Sequence, residues 1–234
     1  MKQLKKIGRV RRVGRVRQVR QRGARAGRDG DTEQRILDAA HTVFVRRGTA
    51  GARMQEIAAE ARVNQALLHY YFRTKDRLAQ AAFERAAAQF MPAAIQVLAS
   101  DSSLEDKVAR IVDLEIDHLS RTPYLPGYII SEVTHHPERA RQLIVGVTGR
   151  SPDEVGPVVV AALKRQIDAR VRRGAMRAIA PEQFIVNLMA LCIFPFAARP
   201  MISAMLGLDE RAFERFMARR RRELAAFFLG ALRP

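Results

Sequence analysis

The sequence predicts an all-α chain, and three observations carry that expectation. Apolar residues recur at helical spacing in one segment after another, from Ile36, Leu37, Ala40, Val43 and Phe44 near the start to Phe213, Phe216, Met217, Leu224, Phe227 and Phe228 near the end. No alternating run bounded by hairpin turns interrupts them. Helix starts and stops fall where capping chemistry places them: Asp31 with Gln34, Asn64, Thr74, Ser102 with Glu105, Pro181 and Asp209 at starts, Gly48 at a stop.

Composition limits the partners more than the fold. Of 234 residues, 48% are hydrophobic, enough for one or two compact cores and too many for disorder throughout. The single cysteine, Cys192, rules out an intrachain disulfide and a cysteine-based zinc site, and fits a reducing cytoplasm. The most apolar stretch, Phe184 to Ala198, falls short of the ~20 residues a membrane span needs, so a buried helix and no membrane partner are expected. The basic N-terminus has no apolar run of secretory length, so export is not indicated. Lys and Arg number 41 against 24 Asp and Glu, a formal charge of +17, and such a chain meets polyanions. Residues 1–30 hold 12 of those cations against Asp29 alone, and read as a flexible Arg-rich arm. Three accounts of the arm compete: a contact to phosphates or the minor groove, a solubilising leader, and an upstream start that adds residues of no function.

The first ordered helix runs from Asp31 to Gly48, with Arg46 and Arg47 suited to its last turn. A second spans Arg53 to about Ala61, its inner face formed by Met54, Ile57, Ala58 and Ala61. After a tight connection at Arg62 and Val63, Asn64 caps a third helix that reaches Phe72, and the pair over about 53–72 makes a helix-turn-helix. At ~100° per residue, Gln65, Ala66, His69 and Tyr70 project to one side, while Leu68 and Phe72 anchor the core. That outward face suits a major groove, since Gln bonds adenine bidentately, Ala leaves room for a thymine methyl, and His and Tyr reach base edges and phosphates. Thr74 caps a fourth helix whose first turn carries Lys75, so a phosphate can meet free N–H groups and an ammonium together.

The run from Ile57 to Leu78, IAAEARVNQALLHYYFRTKDRL, resembles the DNA-binding signature of the TetR/AcrR family of transcriptional regulators, and Ile36, Leu37, Ala40, Phe44 and Gly48 look like that family's first helix. The resemblance covers about residues 32–80. It implies that Gln65, Ala66 and His69 face bases or their sugars, and that Tyr70, Tyr71 and Lys75 hold the backbone. Three departures stand out. Arg62 replaces a common Gly, and either adds a phosphate contact or strains the turn if that residue needs positive φ. Ala52 and Arg53 stand where a small hydroxyl residue is common, so a cap worth ~1 kcal/mol is missing, with Arg53 available as a backbone clamp. His69 stands where Tyr is frequent, so the operator is not transferable.

Further along, a long helix passes Phe83 and Phe90 towards Leu98 with Pro92 as a kink or break; Ser102 opens another, Pro137 the next, and Pro152 to Arg173 one more. Phe184 to Phe196 and the segment after Asp209 carry faces that need a partner. The resemblance assigns residues 31–78 to DNA binding and 79–234 to effector binding and dimerisation, with the last two helices pairing into a four-helix bundle in a homodimer. Arg220 is then the member of Arg219–Arg222 expected to lay its stem along the interface. A small-molecule effector is implied inside the second domain, and Phe90, Met91, His118, Tyr128, Glu132, Met189 and Phe194 are candidate lining residues, against the competing reading of ordinary core. His135 and His136 read as a solvated helix end rather than metal ligands, since adjacent helical residues diverge by ~100°.

No catalytic constellation, metal site or cofactor motif is present in the sequence, so no enzyme is expected. The resulting expectation is a ligand-responsive regulator of double-stranded DNA, a repressor more than an activator, cytoplasmic and nucleoid-associated when bound. The alternative is an architectural or RNA-binding protein driven by the arm, which would bind many sequences alike and lose affinity steeply with salt.

Overall fold

The computed structural model describes residues 30–135 and 137–234, and every regular element among them is helical. The arm of residues 1–29 and His136 lie outside the described residues. The chain divides into two units, one ending at Ala82 and the other spanning Phe83–Pro234.

In the first unit, α1 (30–51) is followed by α2 (Met54–Glu60), α3 (Gln65–Phe72) and the start of α4 (Lys75–Ala99). Gly30 and Asp31 are already helical, so Asp31 lies inside α1 and does not cap it. Helical bonding passes Gly48 and ends at residue 51, although Gly48 turns the chain with a φ of 68°. Ile36, Ala40, Val43, Phe44, Ile57, Leu68 and Leu78 are enclosed, one helical stripe from each of α1 to α4. Salt bridges Arg46–Glu60 and Arg47–Glu56 join α1 to α2 on the surface, where such pairs contribute little.

In the second unit the helices are the rest of α4, α5 (Leu104–Arg121), α6 (Leu125–His135), α7 (Glu138–Thr148), α8 (Pro152–Arg172), α9 (Pro181–Ala197), α10 (Arg199–Leu206) and α11 (Glu210–Gly230). The core is organised around α5, which packs on α9 and α11 through Val108, Ile111, Val112, Ile116 and Leu119. Phe184 meets Phe228 edge to face at 5.0 Å, and Phe196 meets Phe213 at 6.2 Å, tying α9 to α11. Lys107 is fully enclosed and donates to the Leu98 carbonyl at 2.8 Å, so it closes the C-terminal end of α4, and burial pushes its ammonium below the usual range.

Two sequence expectations change. The cap of α5 is Ser103, whose Oγ accepts from the Asp106 N–H, while the Ser102 hydroxyl pairs with that of Ser100 at 2.7 Å. Between the two apolar C-terminal segments stands α10, set 72° from α9. Its signal is Arg199-Pro200, since proline is favoured in the first turn of a helix. Pro92, by contrast, neither starts nor stops a helix, for α4 runs through it. Among the described residues no single helix is long and apolar enough to cross a membrane.

Candidate nucleic-acid interface

Helix α3 is fixed at both ends by its own sequence. At its start the Asn64 side chain accepts from the Leu67 N–H at 2.6 Å. Before that, α2 ends in a two-bond closure: Arg62 N–H to the Ala59 carbonyl at 3.1 Å and Val63 N–H to the Ala58 carbonyl at 3.0 Å. This closure demands a left-handed residue in its middle, and Arg62 supplies it with a φ of 55°. The strain foreseen for an arginine in place of glycine is therefore present, on the order of 1 kcal/mol. At the other end Arg73 also has a φ of 55°, with ψ −50°, and the Thr74 N–H reaches back to the Phe72 carbonyl. A turn of this three-residue, positive-φ form is rare and strained. Thr74 then caps α4, its Oγ1 accepting from Arg77 N–H at 3.2 Å.

Between these ends Leu68 and Phe72 are buried, and Gln65, Ala66, His69 and Tyr70 are exposed together on the opposite side. Tyr70 is 78% exposed and stands edge-on to the half-buried Tyr71 at 5.4 Å. Gln65 Nε2 lies 3.4 Å from His69 Nε2, and His69 Nδ1 lies 2.9 Å from the Arg73 carbonyl. Arg53, Arg62 and Arg73 are exposed near the ends of α2 and α3, giving the unit cations beside the uncharged exposed face of α3. Arg53 begins α2 without any side-chain cap bond, as the missing hydroxyl residue implies. Lys75 does more than the sequence shows: its Nζ donates to the Ala50 carbonyl at 3.1 Å and the Ala52 carbonyl at 3.4 Å, fastening the end of α1 to the start of α4. These two bonds use two of the three ammonium protons.

The effector candidates separate in the second unit. Phe90 stacks on His118 at 5.2 Å and 18°, and His118 is buried, so these two come together. Tyr128 is buried against Phe83. Met91 and Met189 are half-buried, and the Glu132 side chain lies outside the described residues. Phe194 is 55% exposed on α9. A groove of about 390 Å³ between α4, α7 and α8, lined by Ile95, Gln96, Val147, Arg150, Val155 and Val158, contains none of the seven.

The sequence places Glu115 in the helical period of Val108, Ile111, Val112 and Leu119 without assigning it a role. It is 2% exposed, its Oε1 has no hydrogen-bond partner, and burial pushes its carboxyl up to about 8. The available signal was a glutamate in the core register of Ile111, Val112 and Leu119. Nearby, burial pushes the Cys192 thiol up to about 12, with the Glu115 charge adding to it, so this cysteine is inert. Arg220 is half-buried while Arg219, Arg221 and Arg222 are exposed, and it donates twice to the Leu191 carbonyl, at 3.1 and 2.9 Å.

Residues 36–82 match the model of bacterial regulatory proteins of the tetR family. The HTH-type transcriptional repressor SCO4008 of Streptomyces coelicolor is 35% identical over 119 residues, covering 49% of this chain and 60% of its own length. The HTH-type nicotine-responsive transcriptional repressor HdnoR of Paenarthrobacter nicotinovorans is 28% identical over 73% of this chain and 86% of its own. The crystal structure of a TetR-family regulator from Mesorhizobium loti shares the fold at a TM-score of 0.52 and 20% identity, over 88% of this chain and 99% of that one. The matched segment lies on the capped α2–α3 pair just described, so residues 36–82 are similar to the bacterial regulatory proteins of the tetR family.

Proposed function

We propose that the protein is a transcriptional repressor that binds a palindromic DNA operator as a homodimer and is released by a small-molecule effector held in the Phe83–Pro234 unit. The observation that carries this reading is the outward face of α3, where Gln65, Ala66, His69 and Tyr70 are exposed in one patch opposite the buried Leu68 and Phe72. Base-edge chemistry with no charge of its own, flanked by Arg53, Arg62, Arg73, Tyr71, Thr74 and Lys75 for phosphates, is what a groove reader requires. Repression and effector response are supported by the similarity to two repressors, one of them nicotine-responsive.

Homodimerisation through α9 and α11 is supported by exposed apolar side chains on those helices, Val186, Phe194 and Phe227. On this reading Phe194 belongs to the dimer face, and the Phe90–His118 stack with Met91, Tyr128, Glu132 and Met189 forms the effector region. The effector acts by favouring a dimer whose reading helices no longer match successive grooves. Binding without turnover is expected, so incubation with the effector should return it unchanged.

The arginine-rich composition of residues 1–30 favours a second reading, an architectural or RNA-binding protein. Gel-shift titration of the full chain against genomic fragments separates the two. The repressor retains one palindromic site in the presence of excess random DNA and discriminates by several kcal/mol. Equal affinity for all fragments, falling together with salt, supports the second reading instead.

A further inference from the structure

Along the exposed side of α3 runs a hydrogen-bonded chain from Gln65 to His69 to Arg73, residues four apart and so stacked on one face. The chain has a direction. A carbonyl can only accept, so His69 Nδ1, at 2.9 Å from the Arg73 oxygen, carries the proton and donates it. In the neutral ring this leaves Nε2 as an acceptor, facing the Gln65 side-chain amide at 3.4 Å. Only the amide NH2 can meet a lone pair, and the Gln65 orientation follows: nitrogen turned to the imidazole, Oε1 turned outward, one N–H still free. The anchor of the chain is the carbonyl of the strained Arg73 turn, so the ring is held against backbone rather than against a mobile side chain.

We propose that His69 is a positioning residue for Gln65, and that the pair, as one unit, selects adenine in each half-site. The proposal rests on the reading of α3 as the helix in the major groove, and adds which base it prefers and why. Adenine presents an N6 donor beside an N7 acceptor, and the held amide presents its oxygen and its free N–H to match. Guanine presents O6 and N7, both acceptors, and would set its O6 against the outward amide oxygen. An untethered glutamine turns its amide over and satisfies either purine, so the discrimination comes from the tether.

Two substitutions cut the chain at different links. His69→Asn keeps a donor near the Nδ1 position and leaves nothing at Nε2, whereas His69→Gln places an amide oxygen near the Nε2 position. The full chain is used to select duplexes from a random pool, and each base of the selected site is then varied in competition. The wild-type chain is expected to prefer adenine to guanine by about tenfold at the one position per half-site that Gln65→Ala makes indifferent. His69→Asn should lower that preference to about twofold at the same position and leave other positions unchanged, while His69→Gln retains most of it. A change at a different position from Gln65→Ala means that His69 reads its own base, and overturns the proposal. So does His69→Asn discrimination equal to wild type, or a wild-type preference for guanine there. Should the wild-type chain select no site at all, the DNA-reading function itself falls, which is a separate result from any of these.

Discussion

Arg62 shows how a single backbone angle decides a residue's worth. The closure at the end of α2 holds it at a φ of 55°, where a side chain costs about 1 kcal/mol relative to glycine. Arg62→Gly is therefore expected to raise the urea midpoint by an equivalent of about 1 kcal/mol, and a lower midpoint would mean that the guanidinium makes an offsetting contact. This cost was legible beforehand, because a turn that usually holds Gly flags the angle it needs. Glu115 was not legible in the same way, since a periodic stripe does not reveal whether a polar member finds a partner. An unfolded glutamate loses its proton near 4.5 and the folded one near 8, so between these values only the folded chain keeps it. Stability must then fall as pH rises through that window, by on the order of 4 kcal/mol. Glu115→Gln removes this slope, which denaturation at pH 5 and pH 8 measures directly; an unchanged slope would show that Glu115 is ionised in the folded chain. Lys75, drawn from the sequence as a phosphate contact, also has a structural duty that spacing alone cannot show, because its acceptors lie on a distant part of the chain.

Helix α9 owes its continuity to a side chain from α11. Pro195 has no N–H, so the Leu191 carbonyl four residues earlier loses its helical donor. The Arg220 guanidinium takes that place with two hydrogen bonds, which also explains why Arg220 alone of the four arginines is half-buried. Arg220→Leu is expected to cost about 1–3 kcal/mol by leaving the carbonyl unsatisfied. In a Pro195→Ala background the new N–H satisfies it, and the same substitution should cost less by at least about 1 kcal/mol; equal costs in both backgrounds would break the link. At this scale the sequence was most informative where caps are local. Asn64, Thr74 and Asp209 set helix starts through bonds three residues long, and each does so in the structure. It was least informative where neighbouring hydroxyls compete, as when the Ser102 hydroxyl pairs with Ser100 and Ser103 becomes the cap of α5. Helix α10 was overlooked because its exposed Met201, Met205 and Leu206 give no one-sided core pattern.

For the molecule as a whole, the proposed operation depends on two copies of α3 held at a fixed separation. Phe227, 66% exposed on α11, is a direct probe of the proposed dimer. Phe227→Glu should yield a monomer in sedimentation and lower operator affinity by at least about 1.4 kcal/mol, tenfold, while circular dichroism stays helical; a variant that remains dimeric would move the interface elsewhere. The fold class and the α2–α3 pair were legible because both are written in local spacing, whereas the dimer face and the effector region depend on which apolar surfaces meet, and apolar periodicity alone does not distinguish core from interface. Hydroxyl-radical footprinting of the full chain on its selected operator measures the displayed pair of helices most plainly. Two protected patches, ~34–36 Å apart on one side of the duplex and both erased by Gln65→Ala, are expected. Uniform protection that survives Gln65→Ala would contradict the placement of α3 in the groove.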